Sequence, residues 1–282
     1  MIINKTTKIL NVVILLVFIS TFTMARNKES KMAENIVYDL SMAEGADLVY
    51  QLTPQNTKFG NLRSTPNDGT HRIENIDSPQ LTIYKVKSDK KVPAVIVCPG
   101  GGYGYVTFNK EGTPIAKWLQ KQNIAAVILS YRNPSRREDA FADLIATVKA
   151  IKEHADEWNI DANLIGGIGF SAGGHLIARG TTSGYLNFGL FIYPAYLNKE
   201  DEVAPELKTL PFEKLPPIFI AHSEDDASFI PGSKIFNQDA LKYNPKSQFH
   251  CYKTGGHGYG LKSTGEAIAW PEAAEKWLKT IL

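Results

Sequence analysis

Residues 166–176 read GGIGFSAGGHL and contain two overlapping motifs that imply different chemistry. Gly167, Gly169 and Ala172 fit the G-x-G-x-x-A fingerprint of a dinucleotide-binding βαβ unit. Gly169, Ser171 and Gly173 fit the G-x-S-x-G elbow, in which a serine lies on a sharp turn between a strand and a helix. Both motifs need a strand before them and a helix after them, so the choice depends on the rest of the chain.

The segments on either side alternate between predicted strands and predicted helices. Strands are predicted at 35–40, 48–52, 81–86, 93–98, 124–130, 164–170, 188–193, 217–221 and 247–252. Helices are predicted at 140–158, 172–179 and 231–243, with one that Thr113 caps and Pro114 opens, and a last one from Pro271. This alternation indicates a mostly parallel sheet with helices on both faces. No repeat or linker is visible, so a single domain is expected over 26–282.

The first 25 residues have the composition of a secretory signal peptide. Lys5 and Lys8 precede an almost wholly apolar run at 9–22, which is short for a membrane span, and small residues follow at 23–25. An uncleaved N-terminal anchor is the alternative. We expect a mature chain that starts near Arg26, is exported to the periplasm or the medium, and has no stable membrane association after cleavage.

Charge and cysteine content exclude several function classes. The chain has 31 Lys and Arg residues against 29 Asp and Glu residues, a net charge of +2, which offers no electrostatic reason to expect a nucleic-acid partner. The spacings typical of a structural zinc site or a zinc protease do not occur. Cys98 and Cys251 fall on strands that the fold would separate, so both are expected to be free, buried thiols.

The chemistry of such a sheet is expected beyond the carboxyl ends of its strands. Gly100, Gly101 and Gly102 follow one strand, and their N–H groups could converge on an oxyanion or a phosphate. The lysine that completes a P-loop is missing, and a simple tight turn is the alternative. The dinucleotide motif also needs an acidic residue about twenty positions on, and 187–193 has none. The serine elbow is therefore favoured.

A nucleophilic serine needs a base, and the base needs an orienting carboxylate. The strand at 217–221 is followed by His222, which is expected to shape its loop, and then by Glu224, Asp225 and Asp226. The last strand is followed by His257 within the glycine-rich stretch 255–260. The order serine, acid, histidine is that of α/β-hydrolases. Asp225 and Asp226 compete as the acid, with Glu224 a distant third.

Whole phrases of the sequence resemble a family of exported bacterial α/β-hydrolases grouped with acetyl xylan and feruloyl esterases. The phrases, in order, are VPAVIVCPGGGYGYV, EGTPIAKWLQ, IAAVILSYR, NIDANLIGGIGFSAGGHL, FGLFIYPAY, LPPIFIAHSEDD and TGGHGYGL. The resemblance runs from about residue 76 to the C-terminus. It implies an α/β-hydrolase fold in which Ser171 is the nucleophile, His257 the base and Asp226 the acid. Many relatives have a shorter segment after this acid than the one here, so Asp225 stays open.

The resemblance also implies an oxyanion hole formed by the Ala172 N–H group with that of Gly101 or Gly102. A two-step mechanism through an acyl-enzyme requires no metal or organic cofactor. With the predicted export, the resemblance implies acetyl or feruloyl esters of plant polysaccharides as the leading substrates. The short span between the serine and the acid leaves little room for a large lid. Aromatic residues that could form a sugar-binding rim are Tyr103, Tyr105, Tyr196, Phe229 and Tyr259. A serine exopeptidase-like hydrolase and a degenerate sugar-binding protein are the alternatives.

Overall fold

The apolar runs of the sequence form the centre of an eight-stranded sheet. The computed structural model describes residues 43–53, 59–64 and 69–282, so the predicted signal segment 1–25 and the predicted strand at 35–40 lie outside the described residues. The strands are β1 Leu48–Gln51, β2 Asn61–Ser64, β3 His71–Glu74, β4 Gln80–Tyr84, β5 Val92–Cys98, β6 Val106–Thr107, β7 Ala125–Ser130, β8 Ile160–Phe170, β9 Gly189–Ile192, β10 Asn198–Lys199, β11 Glu202–Val203, β12 Ile218–Ser223 and β13 Gln248–Tyr252.

The main sheet has the order β1-β4-β7-β5-β8-β9-β12-β13. Pairing is parallel from β7 through β13 and antiparallel at β1–β4 and β4–β7. The predicted mostly parallel sheet is therefore confirmed. Strands β5, β7 and β9 and the second half of β8, from Gly166, are buried almost throughout, as expected for strands covered on both faces. Because β8 lies near the middle of the sheet, the residue that follows it stands at the centre of the carboxyl edge.

Helices flank the sheet. They are α1 Phe108–Glu111, α2 Thr113–Lys121, α3 Arg137–Glu153, α4 Ala172–Thr182, α5 Ile230–Asp239 and α6 Trp270–Ile281. Side chains alternate between the two faces of a strand. The vacant Cβ position of Gly167 on β8 lies 2.6 Å from Ile177 of α4, whereas the ring of Phe170 lies 6.1 Å from that of Trp270 in α6. The two helices therefore cover opposite faces, as predicted.

Several elements differ from the sequence prediction. Helix α2 begins at Thr113 itself, with Gly112 at the N-cap position and no side-chain cap, so the prediction that Thr113 caps the helix is wrong. Helix α3 begins at Arg137 and ends at Glu153, five residues before the predicted end at 158. Strands β2, β3 and β6 pair in a separate small sheet that the sequence did not predict. They are too short for an apolar pattern to reveal them.

Both cysteines are free, as predicted, but only Cys98 is buried. Cys251 is exposed because β13 is an edge strand of the main sheet, paired on one side only. The connection from β9 to β12 contains only the β10–β11 ribbon and two 3₁₀ turns, Pro205–Leu207 and Phe212–Lys214. Within the described ranges, no helix combines the length and the apolar character needed to cross a membrane.

Candidate active site

Ser171 stands on the sharp turn between β8 and α4. Its backbone has φ 52° and ψ −118°, a strained conformation for a residue with a side chain and one typical of a nucleophile elbow. A Cβ on Gly169 would lie 2.1 Å from the carbonyl oxygen of Gly173, and a Cβ on Gly173 would lie 2.0 Å from that of Cys98. These two glycines are therefore required by the close approach of helix to strand. The ambiguity of the motif is resolved in favour of the elbow.

A chain of hydrogen bonds joins the three residues predicted to be catalytic. The Ser171 hydroxyl donates to Nε2 of His257 at 2.8 Å, and Nδ1–H of His257 donates to Oδ2 of Asp226 at 2.5 Å. The carboxylate side of the histidine is shielded, since the Asp226 side chain is 5% exposed, whereas the histidine side chain is 33% exposed. This arrangement fixes one histidine tautomer, with its unprotonated nitrogen toward the serine.

The structure separates the two aspartates that the sequence left in competition. Asp226 points to the histidine ring, whereas the Asp225 carboxylate accepts the backbone N–H groups of Gly255 and Gly256, at 3.1 and 2.8 Å, and so holds the loop that carries His257. Glu224 is not brought to the histidine and lies exposed, 3.8 Å from Lys234. Of the candidate acids, Asp226 alone is placed to orient the imidazole.

His222 contributes a second hydrogen bond to the Asp226 carboxylate. Its Nε2 lies 2.9 Å from Oδ2 of Asp226, and its Nδ1 lies 2.8 Å from the Ser233 hydroxyl. Burial lowers the pKa of His222, so the ring is neutral, with Nε2–H donating and Nδ1 accepting. Burial acts to raise the pKa of Asp226, but the hydrogen bonds from His222 and His257 outweigh it and lower the pKa to about 2. The carboxylate is therefore ionised at neutral pH.

The same three groups have donor atoms within 4.8 Å of one another, a spacing that could suit a metal ion. However, both nitrogens meet the shared Asp226 oxygen at hydrogen-bond distances. The cluster is therefore better described as a hydrogen-bonded acid with two histidine donors.

The glycine loop after β5 lies directly against the nucleophile. The vacant Cβ position of Gly100 is 3.0 Å from Cβ of Ser171. Gly101 and Gly102 have φ 140° and 62°, so the turn depends on glycine there. Among the residues that the structure describes, no backbone acceptor pairs with the N–H groups of Gly101, Gly102 or Ala172. These are the three donors predicted for an oxyanion hole.

A buried glutamate that the sequence analysis assigned no role links this loop to the rest of the site. Glu111 is 3% exposed and accepts the Gly100 N–H at 2.7 Å, the Thr107 hydroxyl at 2.5 Å and the Tyr193 hydroxyl at 2.7 Å. The Tyr193 oxygen in turn accepts the N–H of Gly260, at 2.8 Å, in the loop that carries the histidine base. Burial, together with the nearby Glu111 charge, raises the pKa of Tyr193 far above its usual value, so its hydroxyl stays a donor.

The predicted aromatic rim is only partly present. Tyr105, Tyr196 and Phe229 are partly exposed, and the Phe229 ring lies 5.0 Å from the His257 ring and 5.7 Å from that of Tyr196. Tyr103 and Tyr259 are 1% and 6% exposed, so their assignment to an accessible rim is wrong.

The Tyr103 ring packs into the interior because its hydroxyl donates to Nδ1 of buried His175, at 2.7 Å. The second nitrogen of His175 lies 3.2 Å from Glu206. Burial lowers the pKa of His175, so this ring is a neutral structural group one helical turn beyond the serine.

With this geometry established, similarities to known proteins become informative. The sequence model of the BD-FAE family matches residues 81–191, from β4 into β9. An acetylxylan esterase of Xylanibacter ruminicola is 30% identical over 199 residues, 60% of this chain and 41% of that protein. The endo-1,4-beta-xylanase B of Butyrivibrio fibrisolvens is 30% identical over 103 residues, 35% of this chain and 16% of that protein. The chain thus spans less than half of either relative.

Among solved structures, an acetyl ester-xyloside bifunctional hydrolase from Caldicellulosiruptor lactoaceticus has a TM-score of 0.69 and 26% identity, covering 84% of this chain and 97% of that one. The chain therefore has the α/β-hydrolase fold, and its residues 81–191 match the BD-FAE family. An esterase of Thermogutta terrifontis, with a TM-score of 0.66 and 20% identity over 85% of this chain and 96% of that one, supports the fold alone. Together the two structural similarities support the predicted α/β-hydrolase fold.

Proposed function

We propose that this α/β-hydrolase is a serine esterase that removes acetyl groups from xylan-type saccharides. The observation that carries the proposal is the continuous hydrogen-bond chain from the Ser171 hydroxyl through His257 to Asp226. The serine end of this chain lies against the glycine loop, whose Gly101 and Gly102 N–H groups have no backbone acceptor among the described residues, and this is the arrangement that acyl transfer needs.

The reaction proceeds in two steps. His257 Nε2 takes the proton of the Ser171 hydroxyl as its oxygen attacks the ester carbonyl, and Asp226 stabilises the imidazolium that forms. The tetrahedral oxyanion accepts hydrogen bonds from the N–H groups of Ala172 and of Gly101 or Gly102, each worth about 3 kcal/mol of barrier in comparable sites. His257 then gives this proton to the departing sugar oxygen as its bond to the acyl carbon breaks, so the sugar leaves as an alcohol. In the second step the same nitrogen takes a proton from water as the water attacks the acyl-serine, and it returns that proton to the Ser171 oxygen as acetate leaves.

The nature of the relatives and the shape of the site support the substrate class. The relatives named above include an acetylxylan esterase and an acetyl ester-xyloside hydrolase. Ser171 is partly exposed. The partly exposed Phe229 ring lies beside the base, with the partly exposed Tyr196 ring next to it, and sugar rings can pack on such aromatic side chains. Export through the predicted segment 1–25 would bring the enzyme to such polymers.

Replacement of the nucleophile tests the mechanism. Ser171→Ala is expected to lower kcat/KM for p-nitrophenyl acetate by about 10⁴-fold or more, while Ser228→Ala, an exposed serine of the acid loop, should retain it. A fluorophosphonate should form one covalent adduct, detected by mass spectrometry, with the wild type and with Ser228→Ala, and none with Ser171→Ala. Wild-type activity in Ser171→Ala would overturn the serine mechanism.

A panel of native polysaccharides tests the substrate. Acetate release from acetylated xylan is expected to exceed acetate release from acetylated pectin and ferulate release from feruloylated xylan. If ferulate is released faster than acetate, the acyl group is wrong although the serine mechanism stands. Slow release from every polymer, with fast hydrolysis of p-nitrophenyl acetate, would refute the polysaccharide assignment.

A further inference from the structure

Four arginines lie around the start of α3, and three of them face carboxylates. The pairs are Arg132 with Asp139 and Asp143, Arg136 with Asp77 and Asp139, and Arg179 with Glu138. The fourth is Arg137, an exposed residue whose guanidinium has no hydrogen bond or ion pair among the described residues. The acids nearest to it in sequence, Glu138 and Asp139, are therefore already paired with other cations, and the Arg137 charge is left uncompensated.

Two aromatic rings nonetheless hold the Arg137 guanidinium in place. Its Cζ lies 4.2 Å from the ring centroid of Tyr196 and 5.2 Å from that of Tyr103. A guanidinium stacked on a ring keeps its N–H groups free at its edge, where they can donate in plane to both oxygens of a carboxylate. The residue is also the first of a 17-residue helix, where the helix dipole disfavours a cation and favours a bound anion.

This cation stands at the far end of a strip of rings that begins at the base. The ring of Phe229 lies 5.0 Å from that of His257, and the ring of Tyr196 lies 5.7 Å from that of Phe229. The Tyr196 hydroxyl is 4.0 Å from the vacant Cβ position of Gly102 in the oxyanion loop. Arg137 and Gly102 also line one open cleft of about 510 Å³. A saccharide esterified at the serine could therefore extend along the rings to the guanidinium.

We propose that Arg137 binds the carboxylate of a uronic acid residue carried by the same saccharide as the ester that Ser171 attacks. This inference rests on the proposed esterase function and names the substrate more closely. Tyr196 would contact a sugar face while its cation partner pairs with the carboxylate. A glucuronic acid branch on xylan and a galacturonic acid unit of pectin present the same carboxylate, so both are included in the test.

The test compares substrates that differ only in the carboxylate. One is a xylo-oligosaccharide with a glucuronic acid branch, and the other is the same compound after reduction of the carboxyl to an alcohol, both acetylated in the same way. The wild type is expected to favour the acidic substrate by about 10-fold in kcat/KM, through KM, as for one charge-assisted contact. In Arg137→Gln this ratio should fall to about 1. Lys149→Gln, which removes an exposed charge of the same helix, should retain the ratio.

A ratio near 1 in the wild type, or one that survives Arg137→Gln, would overturn the inference. The inference would also be overturned if the ratio were lost in Lys110→Gln and retained in Arg137→Gln. Lys110 Nζ lies 3.9 Å from the vacant Cβ position of Gly258, in the loop of the base. An acetylated oligogalacturonide, compared with its carboxyl-reduced form, shows whether a backbone uronate serves equally well, which would support the subsite with pectin as the source. In each failure the neutral ester is still hydrolysed, so the proposed esterase function stands unless Ser171→Ala is active.

Discussion

Glu111 offers the sharpest test of how the fold holds the site together. Its carboxylate accepts from the Gly100 N–H and from the hydroxyls of Thr107 and Tyr193. Glu111→Gln keeps the shape but provides one acceptor oxygen in place of two. If that oxygen stays with the Gly100 N–H, the amide group meets the Tyr193 oxygen, which already accepts from Gly260. The Tyr193 hydroxyl proton then has no partner.

The expected cost follows from counting the donors that lose their acceptor. A buried unsatisfied donor costs about 1–3 kcal/mol, so Glu111→Gln should lower the free energy of unfolding by about that amount. Glu111→Ala removes the acceptor from both Gly100 and Tyr193, whereas Thr107 can still donate to the Gly100 carbonyl at 3.2 Å. Two orphaned donors give a loss of about 2–6 kcal/mol for the alanine variant.

Urea unfolding at neutral pH, followed by intrinsic fluorescence, measures these losses, with Glu153→Gln as a control at an exposed glutamate. Hydrolysis of p-nitrophenyl acetate reports on the loop. Because the loop that should hold the oxyanion is anchored by this carboxylate, kcat for Glu111→Ala should fall about 10²-fold, as expected for a displacement near 1 Å. KM should change less than kcat. If Glu111→Gln unfolds at the wild-type urea concentration with wild-type kcat, the network does not have the role argued for it.

Three further perturbations follow from the same geometry. Gly173→Ala places a methyl group 2.0 Å from the Cys98 carbonyl oxygen, so the free energy of unfolding should fall by about 1–3 kcal/mol and kcat for p-nitrophenyl acetate should fall at least tenfold. An unchanged free energy of unfolding and an unchanged kcat would contradict the close approach. Asp225→Asn leaves one acceptor oxygen for two N–H groups, so kcat should fall several-fold while Asp226 still orients the base; a loss as large as that of Asp226→Ala would reverse the two roles. Stability should fall as pH drops below about 4, because the folded-state pKa of Asp226 is about 2 against the usual 3.8, and its ionised form is therefore favoured by folding. Asp226→Asn should lose less stability than the wild type between pH 6 and pH 3 in urea unfolding, and an equal loss would show that another group dominates.

The fold and the position of the site were predictable because both depend on local sequence signals. Continuous apolar runs mark strands that are buried on both faces, and glycines mark the places where backbone approaches backbone. The elbow is an example: Gly169 and Gly173 were expected from the turn geometry, and the structure shows the carbonyl oxygens that a Cβ would meet. The candidate catalytic residues that follow successive strands could be grouped into one site from chain order alone, because parallel strands bring their carboxyl ends to one edge of the sheet.

The parts that were not predictable depend on side-chain direction and on long-range contacts. Asp225 and Asp226 are adjacent, and only the path of the loop after β12 decides which carboxylate faces the histidine. Glu111 lies in the chain far from Tyr193, and no spacing rule connects them. Tyr103 was expected at the rim because its loop is there, but its hydroxyl pairs with buried His175 and draws the ring inward. Exposure of a loop therefore does not imply exposure of each of its side chains.

Two carboxylates that are not part of the catalytic triad, those of Glu111 and Asp225, hold the loops of the site in place. Glu111 anchors the glycine loop and, through the Tyr193 hydroxyl, one end of the histidine loop at Gly260. Asp225 holds the other end of that loop through two backbone N–H groups. The loop is therefore held on both sides of His257 by bonds to its own backbone, independently of the bond from the His257 ring to Asp226. Because neither anchor needs to touch the substrate, the imidazole can remain one-third exposed and still be oriented for proton transfer.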